Sequence, residues 1–294
     1  MNARESRMLD VLKQGRERYG FLSVKAEFEA EGTRSDELLR LLELARRAGV
    51  KVGVKIGGCE AVRDLIECRQ FGVDYIIAPM IETPFALSKY IDAKNKVFPL
   101  EERRGIRFLF NVETITAYRA IDALVQGCLR PDGADGVVFG RVDFVGSLGK
   151  TREAIQSDEV TDHVVEVARR CKRAGLEMVA GGAVTLESVP ALRRIRAEHL
   201  DRFETRKIIF SAKVLERDDV EAALNLAGEF ELLWLKNKRD HYTGISTEDD
   251  KRIEMLERRF GGVAGDSPER SAGHHHGGAG VHAPGNGAAV ATRS

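Results

Sequence analysis

The chain has 294 residues, with Lys plus Arg and Asp plus Glu equal at 46 each and 43% hydrophobic residues. That is length for one α/β barrel with a tail, or for two smaller domains, and enough apolar material for a large core. Balanced charge excludes a bulk attraction to nucleic acid or anionic membrane, and no run approaches the roughly 18 uninterrupted apolar residues of a membrane span.

The start, Met1-Asn2-Ala3-Arg4-Glu5, carries no apolar signal region, and Cys59, Cys68, Cys128 and Cys171 lack Cys-x-x-Cys spacing. A reducing compartment, the cytosol by default, is expected, and a zinc cluster is not. Residues 1–20 read as an amphipathic helix holding Met8, Leu9, Val11 and Leu12 among charges. Phe21 to Glu29 then alternates with period two: Leu22, Val24, Ala26 and Phe28 share one face, and Lys25, Glu27 and Glu29 the other. Alone this suits an edge strand with a wet face; inside a barrel the polar face would line the cavity. Ser35 is placed to cap a helix whose Leu38, Leu41, Leu42 and Ala45 fall at helical spacing.

The rhythm repeats. Lys51 to Gly58 is a strand ending in glycines, and Glu60 to Phe71 a helix that Gly72 can end. Tyr75 to Thr83 is the next strand, with Pro84 opening a helix toward Ala93. A loop from Asn95 to Gly105 leads to the strand Ile106 to Thr114, whose helix runs from Ala117 to Val125. Gly136 to Phe144 repeats the form of that strand, an apolar run that finishes in an acid beside a second polar residue. Asp158–Ala174 is helical, Leu176–Gly182 a strand, Ser188–Ala197 a helix and Lys207–Val214 the last clear strand. Asp218 with Glu221 resembles a capping box for a helix to Phe230.

About seven apolar strands alternating with helices give a parallel barrel or a doubly wound sheet. Polar residues stand at the ends of most strands, whereas a doubly wound sheet gathers them at one switch point, so a parallel (β/α)8-type TIM barrel is the expected fold. The eighth strand is missing from the pattern; a strand lost before Phe21, or Phe230 to Lys236, would complete it. The expected organisation is an N-terminal helix over 1–20, a barrel over 21–236, a C-terminal helical extension over 237–262 with Thr247 as a cap, and a disordered tail over 263–294. That tail, with His274-His275-His276, is too poor in large apolar groups to fold.

Glu113 and Asp143, on neighbouring strand ends, are placed to share one hard cation. Asn111 and Arg141 each precede an acid by two positions and so face the same way, and Lys55 adds a further cation. Gly146-Ser147-Leu148-Gly149 can expose backbone N–H groups to an anion. Carboxylates for a divalent ion together with fixed cations are equipment for stabilising an enolate.

These residues carry a resemblance. Phe110-Asn111-Val112-Glu113-Thr114, followed by Phe139-Gly140-Arg141-Val142-Asp143-Phe144-Val145-Gly146-Ser147-Leu148-Gly149, resembles the paired signature of the HpcH/HpaI aldolase/citrate lyase family. Ile77-Ala78-Pro79-Met80-Ile81-Glu82-Thr83 is similar to the strand that precedes it, and the likeness is good over roughly residues 50 to 185. The resemblance implies a pyruvate/phosphoenolpyruvate-type barrel that holds Mg²⁺ or Mn²⁺ through Glu113 and Asp143. It implies a small-molecule 2-oxo acid substrate chelating the metal, bound at Lys55, Arg141, Val142 and Asp143. It also implies assembly into a homo-oligomer through C-terminal helices. Lys55 stands where the family usually has an arginine, and Asn111 where its aldolases often have glutamine. The family's early-strand histidine is replaced near the expected place by Glu27, Glu29 or Glu31, so Glu29 joins Lys55, Asn111 and Arg141 as a catalytic candidate.

The expected activity is therefore a metal-dependent carbon–carbon lyase, or its reverse, working through a pyruvate enolate. Two other readings stand beside it: a Schiff-base aldolase using Lys213 or Lys25, and a non-catalytic barrel serving as a binding module. Gly181-Gly182 suits either a phosphate contact or a tight turn, and Glu82 either lines the mouth or caps the helix of Pro84.

Overall fold

The computed structural model describes residues 1–260. In chain order, α1 (Ala3–Arg18) leads into β1 (Phe21–Glu27), followed by α2 (Ser35–Ala48), β2 (Lys51–Lys55), α3 (Val62–Phe71), β3 (Tyr75–Ala78) and α4 (Pro84–Val97). Next come β4 (Arg107–Val112), α5 (Ile115–Arg119), α6 (Ile121–Cys128), β5 (Gly136–Gly140), α7 (Arg141–Ser147) and α8 (Asp158–Ala174). The rest is β6 (Glu177–Gly181), α9 (Val189–Glu198), β7 (Arg202–Glu204), β8 (Ile208–Ser211) and α10 (Val220–Phe260). The chain divides into two compact units, residues 1–243 with the barrel and a second from 244, whose described part, 244–260, is helical.

The eight strands close into a barrel in sequence order. Each strand from β1 to β6 pairs parallel with the next. The last strand, β8, runs antiparallel to both β7 and β1. The cause is the length of the connection. Only Thr205, Arg206 and Lys207 separate β7 from β8, and a parallel return needs a crossover of a dozen or more residues, so the chain can only turn back on itself.

This hairpin supplies the strand that the sequence pattern lacked. Phe230 to Lys236 is not a strand: Ala227, Phe230 and Trp234 are buried at helical spacing along α10. Thr247 lies inside the same helix rather than capping a new one, and Arg34, not Ser35, is the N-cap of α2. Gly72 does end α3, in the left-handed conformation at φ 67°. Thr83 caps α4 with Pro84 behind it. Among the described residues no helix is long and apolar enough to cross a membrane.

Two apolar layers hold the barrel. The larger lies between strands and helices and includes Val24, Ala26, Val54, Ile76, Phe110 and Val137. The smaller, Tyr75, Ile77, Leu109, Val138 and Val179, is a separate cluster formed by strand residues of the other parity, those that face the interior. Because strand side chains alternate, the next inward positions after Leu109, Val138 and Val179 are Asn111, Gly140 and Gly181. A dry plug thus lies beneath a polar mouth at the C-terminal ends of the parallel strands, the usual layering of such barrels.

Candidate active site

The mouth is a cavity of about 500 Å³. Its wall is built from inward residues one period above the apolar plug, completed by Leu224, Gly228 and Glu231 of α10. Lys25, Glu27, Lys55, Asn111, Glu113 and Glu204 are all lining residues, and each is at most 9% exposed. Lys25 and Glu27 thus lie inside a barrel, not on the wet face of an edge strand.

Glu113 follows β4 directly and is 1% exposed. Its Oε1 accepts the Met80 N–H at 2.9 Å, and its Oε2 accepts Asn111 Nδ2 at 2.6 Å and Lys55 Nζ at 3.3 Å. To deliver that N–H, Met80 adopts φ 51°, a left-handed conformation that costs a non-glycine residue of order 1–3 kcal/mol. Lys55 Nζ also sits 3.0 Å from Glu29 Oε2. Burial alone would push the Lys55 ammonium down, but the charge of Glu113 and the contact with Glu29 outweigh it and hold it above its ordinary value. Lys55, Glu29, Asn111 and Glu113 are brought together.

Asp143, Val142 and Arg141 are placed otherwise than the sequence suggests. β5 stops at Gly140, and all three lie in the first turn of α7. Asp143 and Val142 still line the cavity, Asp143 exposed on its rim. The Arg141 side chain is turned away from the mouth. Its Nε donates to the Gly181 carbonyl at 3.0 Å, Nη2 to the Gly182 carbonyl at 2.8 Å and Nη1 to Gln156 Oε1 at 3.2 Å. The reason is close packing: a Cβ on Gly182, which has φ 87°, would stand 2.8 Å from the backbone nitrogens of both Arg141 and Val142. Arg141, 1% exposed and lowered by burial to about 10, locks this turn over the start of α7. Gly181-Gly182 is therefore a clamped tight turn.

Three more expectations change. The N–H groups of Leu148 and Gly149 donate to carbonyls of α7, and the Ser147 hydroxyl accepts the Ile115 N–H, so this loop closes a helix rather than presenting donors to an anion. Glu82 neither caps α4 nor lines the mouth; it accepts the Thr114 hydroxyl at 2.7 Å. Lys213 is exposed in the turn after β8, at the end of the barrel opposite the mouth because β8 runs downward. Lys25 is in the cavity, but its Nζ contacts Glu204 Oε1 at 2.6 Å and Glu27 Oε1 at 3.1 Å. Burial lowers such an amine, yet the two carboxylates together keep Lys25 an ammonium well above its ordinary value, the wrong state for attacking a carbonyl.

The cavity also holds groups that sequence reasoning missed. Glu204 belongs to β7, three residues too short to show a period, and Arg152 comes from the segment between α7 and α8. Glu31, a candidate from the sequence, is instead engaged with Arg206 at 3.2 Å and with Lys207.

Among the described residues no group of three His, Cys, Asp or Glu side chains gathers as a metal site. His274 to His276 lie outside the described residues. The donors available are oxygens: the carboxylates of Glu113 and Asp143, and Asn111 Oδ1, which is buried without a hydrogen-bond partner among the described residues. An all-oxygen set with few protein ligands suits a hard cation that keeps several waters or substrate oxygens, as Mg²⁺ does.

No curated protein matches this chain at a significant level. Solved structures share the fold. The HpcH/HpaI aldolase from Desulfitobacterium hafniense DCB-2 has a TM-score of 0.52 at 18% identity over 65% of this chain and 80% of that one. An HpcH/HpaI aldolase/citrate lyase family protein from Burkholderia cenocepacia J2315 gives 0.52 at 15% over 66% and 81%. The citrate synthase SbnG gives 0.53 at 17% over 84% and 90%. The sequence profile described as HpcH/HpaI aldolase/citrate lyase matches residues 33–195, more than half of the chain, from α2 into α9, the span that builds Lys55, Asn111, Glu113 and Asp143. The chain therefore belongs to the HpcH/HpaI aldolase/citrate lyase family.

Proposed function

We propose that this protein is a divalent-metal-dependent carbon–carbon lyase that acts on a 2-oxo acid through a pyruvate-type enolate. The observation that carries this reading is the gathering of Glu113, Asn111, Lys55 and Glu29 in one cavity at the strand ends, with Asp143 on its rim. Family membership supports a lyase. Glu113 and Asp143 would hold Mg²⁺ or Mn²⁺, and such an ion, when bound, withdraws electron density from the oxygens of a 2-oxo acid and acidifies the adjoining carbon.

The chain's own residues do the rest. Asn111 and the Met80 N–H fix the Glu113 carboxylate in one orientation. Lys55, kept charged by Glu113 and Glu29, balances the negative charge that develops on the substrate's 2-oxygen. Val142 and Asp143 form the wall at the start of α7, and Arg141 acts beneath them by holding the Gly182 turn in place. Glu29, whose side chain is 30% exposed, is the candidate proton acceptor. In cleavage of a 4-hydroxy-2-oxo acid, the 4-hydroxyl proton passes to Glu29 and the C3–C4 bond breaks. Its electron pair enters the C2–C3 bond as the enolate forms, and the aldehyde departs. In the reverse direction the same carboxylate takes a proton from the methyl group of pyruvate, the enolate carbon attacks the aldehyde carbon, and the carboxyl returns the proton to the aldehyde oxygen as it becomes the 4-hydroxyl.

Solvent hydrogen exchange at the methyl group of pyruvate, followed by NMR, tests this without knowledge of the second substrate. Exchange that requires Mg²⁺ or Mn²⁺ and is lost in Glu113→Gln is expected. Exchange that survives a chelator, or no exchange at all, would overturn the reading.

A further inference from the structure

Two glycines form the floor of the mouth between Glu113 and Glu204. Gly140 and Gly181 are register partners on β5 and β6, and both stand at inward positions. A Cβ on Gly140 would meet Glu113 Oε2 at 2.9 Å, and a Cβ on Gly181 would meet Glu204 Cγ at 2.9 Å and Oε1 at 3.1 Å. Glu113 follows β4 and Glu204 lies on β7, so each carboxylate leans from a flanking strand over the nearer glycine. The glycines are one strand spacing apart, about 4.8 Å, and the two carboxylates are therefore neighbours on one floor. Asp143 borders the same floor, because the Gly182 turn packs on the backbone nitrogens of Arg141 and Val142 directly before it.

Glu204 is 6% exposed, and its Oε1 accepts from Lys25 Nζ at 2.6 Å, whereas Oε2 is buried without a hydrogen-bond partner among the described residues. The cations at this end do not supply one. Lys25 is divided between Glu204 Oε1 and Glu27, and Arg206 and Lys207 are engaged by Glu31. Arg152 lines the cavity but makes no hydrogen bond to Oε2. Asn111 Oδ1, in the same cavity, is likewise buried and unpartnered among the described residues. A buried anionic oxygen without a donor is unfavourable, so the partner that belongs there is a hydrogen-bond donor.

A hard cation held by few protein carboxylates keeps several waters, and its charge makes their O–H groups strong donors. Carboxylates just outside the ligand set hold such groups in place and raise metal affinity. We propose that Glu204 is a positioning residue of the metal centre: its Oε2 accepts a hydrogen bond from a water in the hydration shell of the divalent cation held by Glu113 and Asp143. This rests on the metal reading above. Lys25 fixes Oε1 and leaves Oε2 to the water, and Gly140 and Gly181 keep side chains out of the space between the carboxylates. Glu204 then stands one water away from the ion, which needs no direct cluster of three acids, and none gathers among the described residues.

The test titrates the full chain with Mn²⁺, following the free ion by electron paramagnetic resonance. Line broadening in water enriched in a magnetic oxygen isotope counts the waters on the bound ion, and circular dichroism scales each titration to the folded fraction. In Glu204→Gln the affinity should fall about ten- to hundredfold, as on loss of such an outer partner, with the water count unchanged. Glu27→Gln removes the other carboxylate on Lys25 and should leave the affinity nearly unchanged. An equal loss in Glu27→Gln would reveal a general effect of charge and overturn the role of Glu204. A weakened Glu204→Gln with one water more on the ion would make Glu204 a direct ligand and overturn the hydration-shell role. Mn²⁺ binding that is lost in Glu113→Gln but unchanged in Glu204→Gln overturns this proposal alone, whereas a wild type that binds no Mn²⁺ overturns the metal reading with it. Glu204→Asp keeps a partner for Lys25 but retracts the carboxylate by one methylene; it should also weaken binding, and it carries the same readout if Glu204→Gln does not fold. If neither variant folds, Glu204 is a structural partner of Lys25, and the proposal is wrong.

Discussion

Replacing Lys25 by Met tests the electrostatic core of the mouth. Lys25 is 6% exposed and contacts Glu204 at 2.6 Å and Glu27 at 3.1 Å, with both carboxylate side chains at most 10% exposed. Methionine keeps the length of the stem, so little packing volume is lost, but two buried carboxylates lose their counter-charge. Breaking a buried pair in this way costs about 3–5 kcal/mol, far above the roughly 0–1 kcal/mol of an exposed ion pair. For a body of this size that is a fall of roughly 6–20 °C in Tm, at about 2–4 °C per kcal/mol.

The pH dependence has a definite sign. For Glu27, burial alone would raise the carboxyl, but the charge and hydrogen bond of Lys25 outweigh it, so its folded value lies below the ordinary 4.5. Glu27 therefore contributes stability that is fully present above pH 4.5 and is lost as the pH falls through the folded value. Lys25 is raised above 10.5, so its contribution is fully present below pH 10.5 and is lost as the pH rises through its folded value. Without Lys25, the burial that raises Glu27 is opposed only by the more distant charges of Lys55 and Arg206, so much of this contribution is lost. The variant's deficit should be largest near neutrality and shrink as the pH falls into the carboxylate range. Urea denaturation of both proteins at neutral and mildly acidic pH measures this. A deficit under about 1 kcal/mol, or one unchanged by acidification, would refute the argument.

Two further outcomes are expected. Glu113→Gln and Asp143→Ala should each abolish Mg²⁺ and Mn²⁺ binding in calorimetry. Asp143→Ala should leave Tm nearly unchanged because Asp143 is exposed, whereas Glu113→Gln should lower it by about 1–3 kcal/mol equivalent because Glu113 is 1% exposed and bonded to Lys55. Unchanged affinity in both variants would remove these residues from the metal. Borohydride treatment with pyruvate should leave no adduct on Lys25 or Lys213 by mass spectrometry, since one is held as an ammonium and the other lies at the far end of the barrel; an adduct on Lys25 would reverse that assignment.

Much of this was legible from the amino acids alone. Period-two alternation is a property of the chain, so Lys25, Glu27 and Glu29 were bound to share a face, and Asn111 to share one with Glu113. Apolar runs alternating with helical patterns left a barrel or a doubly wound sheet, and polar residues at most strand ends pointed to the barrel. Termination by Gly72 and the opening of α4 at Pro84 follow from local backbone chemistry, whereas the cap is Thr83 and not the Glu82 that the sequence offered. What the sequence left open depended on contacts between distant segments. An apolar run carries no mark of where a strand bends into a helix, so Arg141 read as a mouth cation until the Gly182 turn, packed against α7, took its guanidinium. β7 is three residues long, and its existence is decided by hydrogen bonds to β6 and β8 that no local pattern encodes. β8 was legible as a strand within Lys207–Val214, but its antiparallel direction follows from the three-residue connection to β7, the strand that no local pattern shows. Glu204 became visible for the same reason: its chemistry comes from Lys25, which lies 179 residues away in the chain and 2.6 Å away in space.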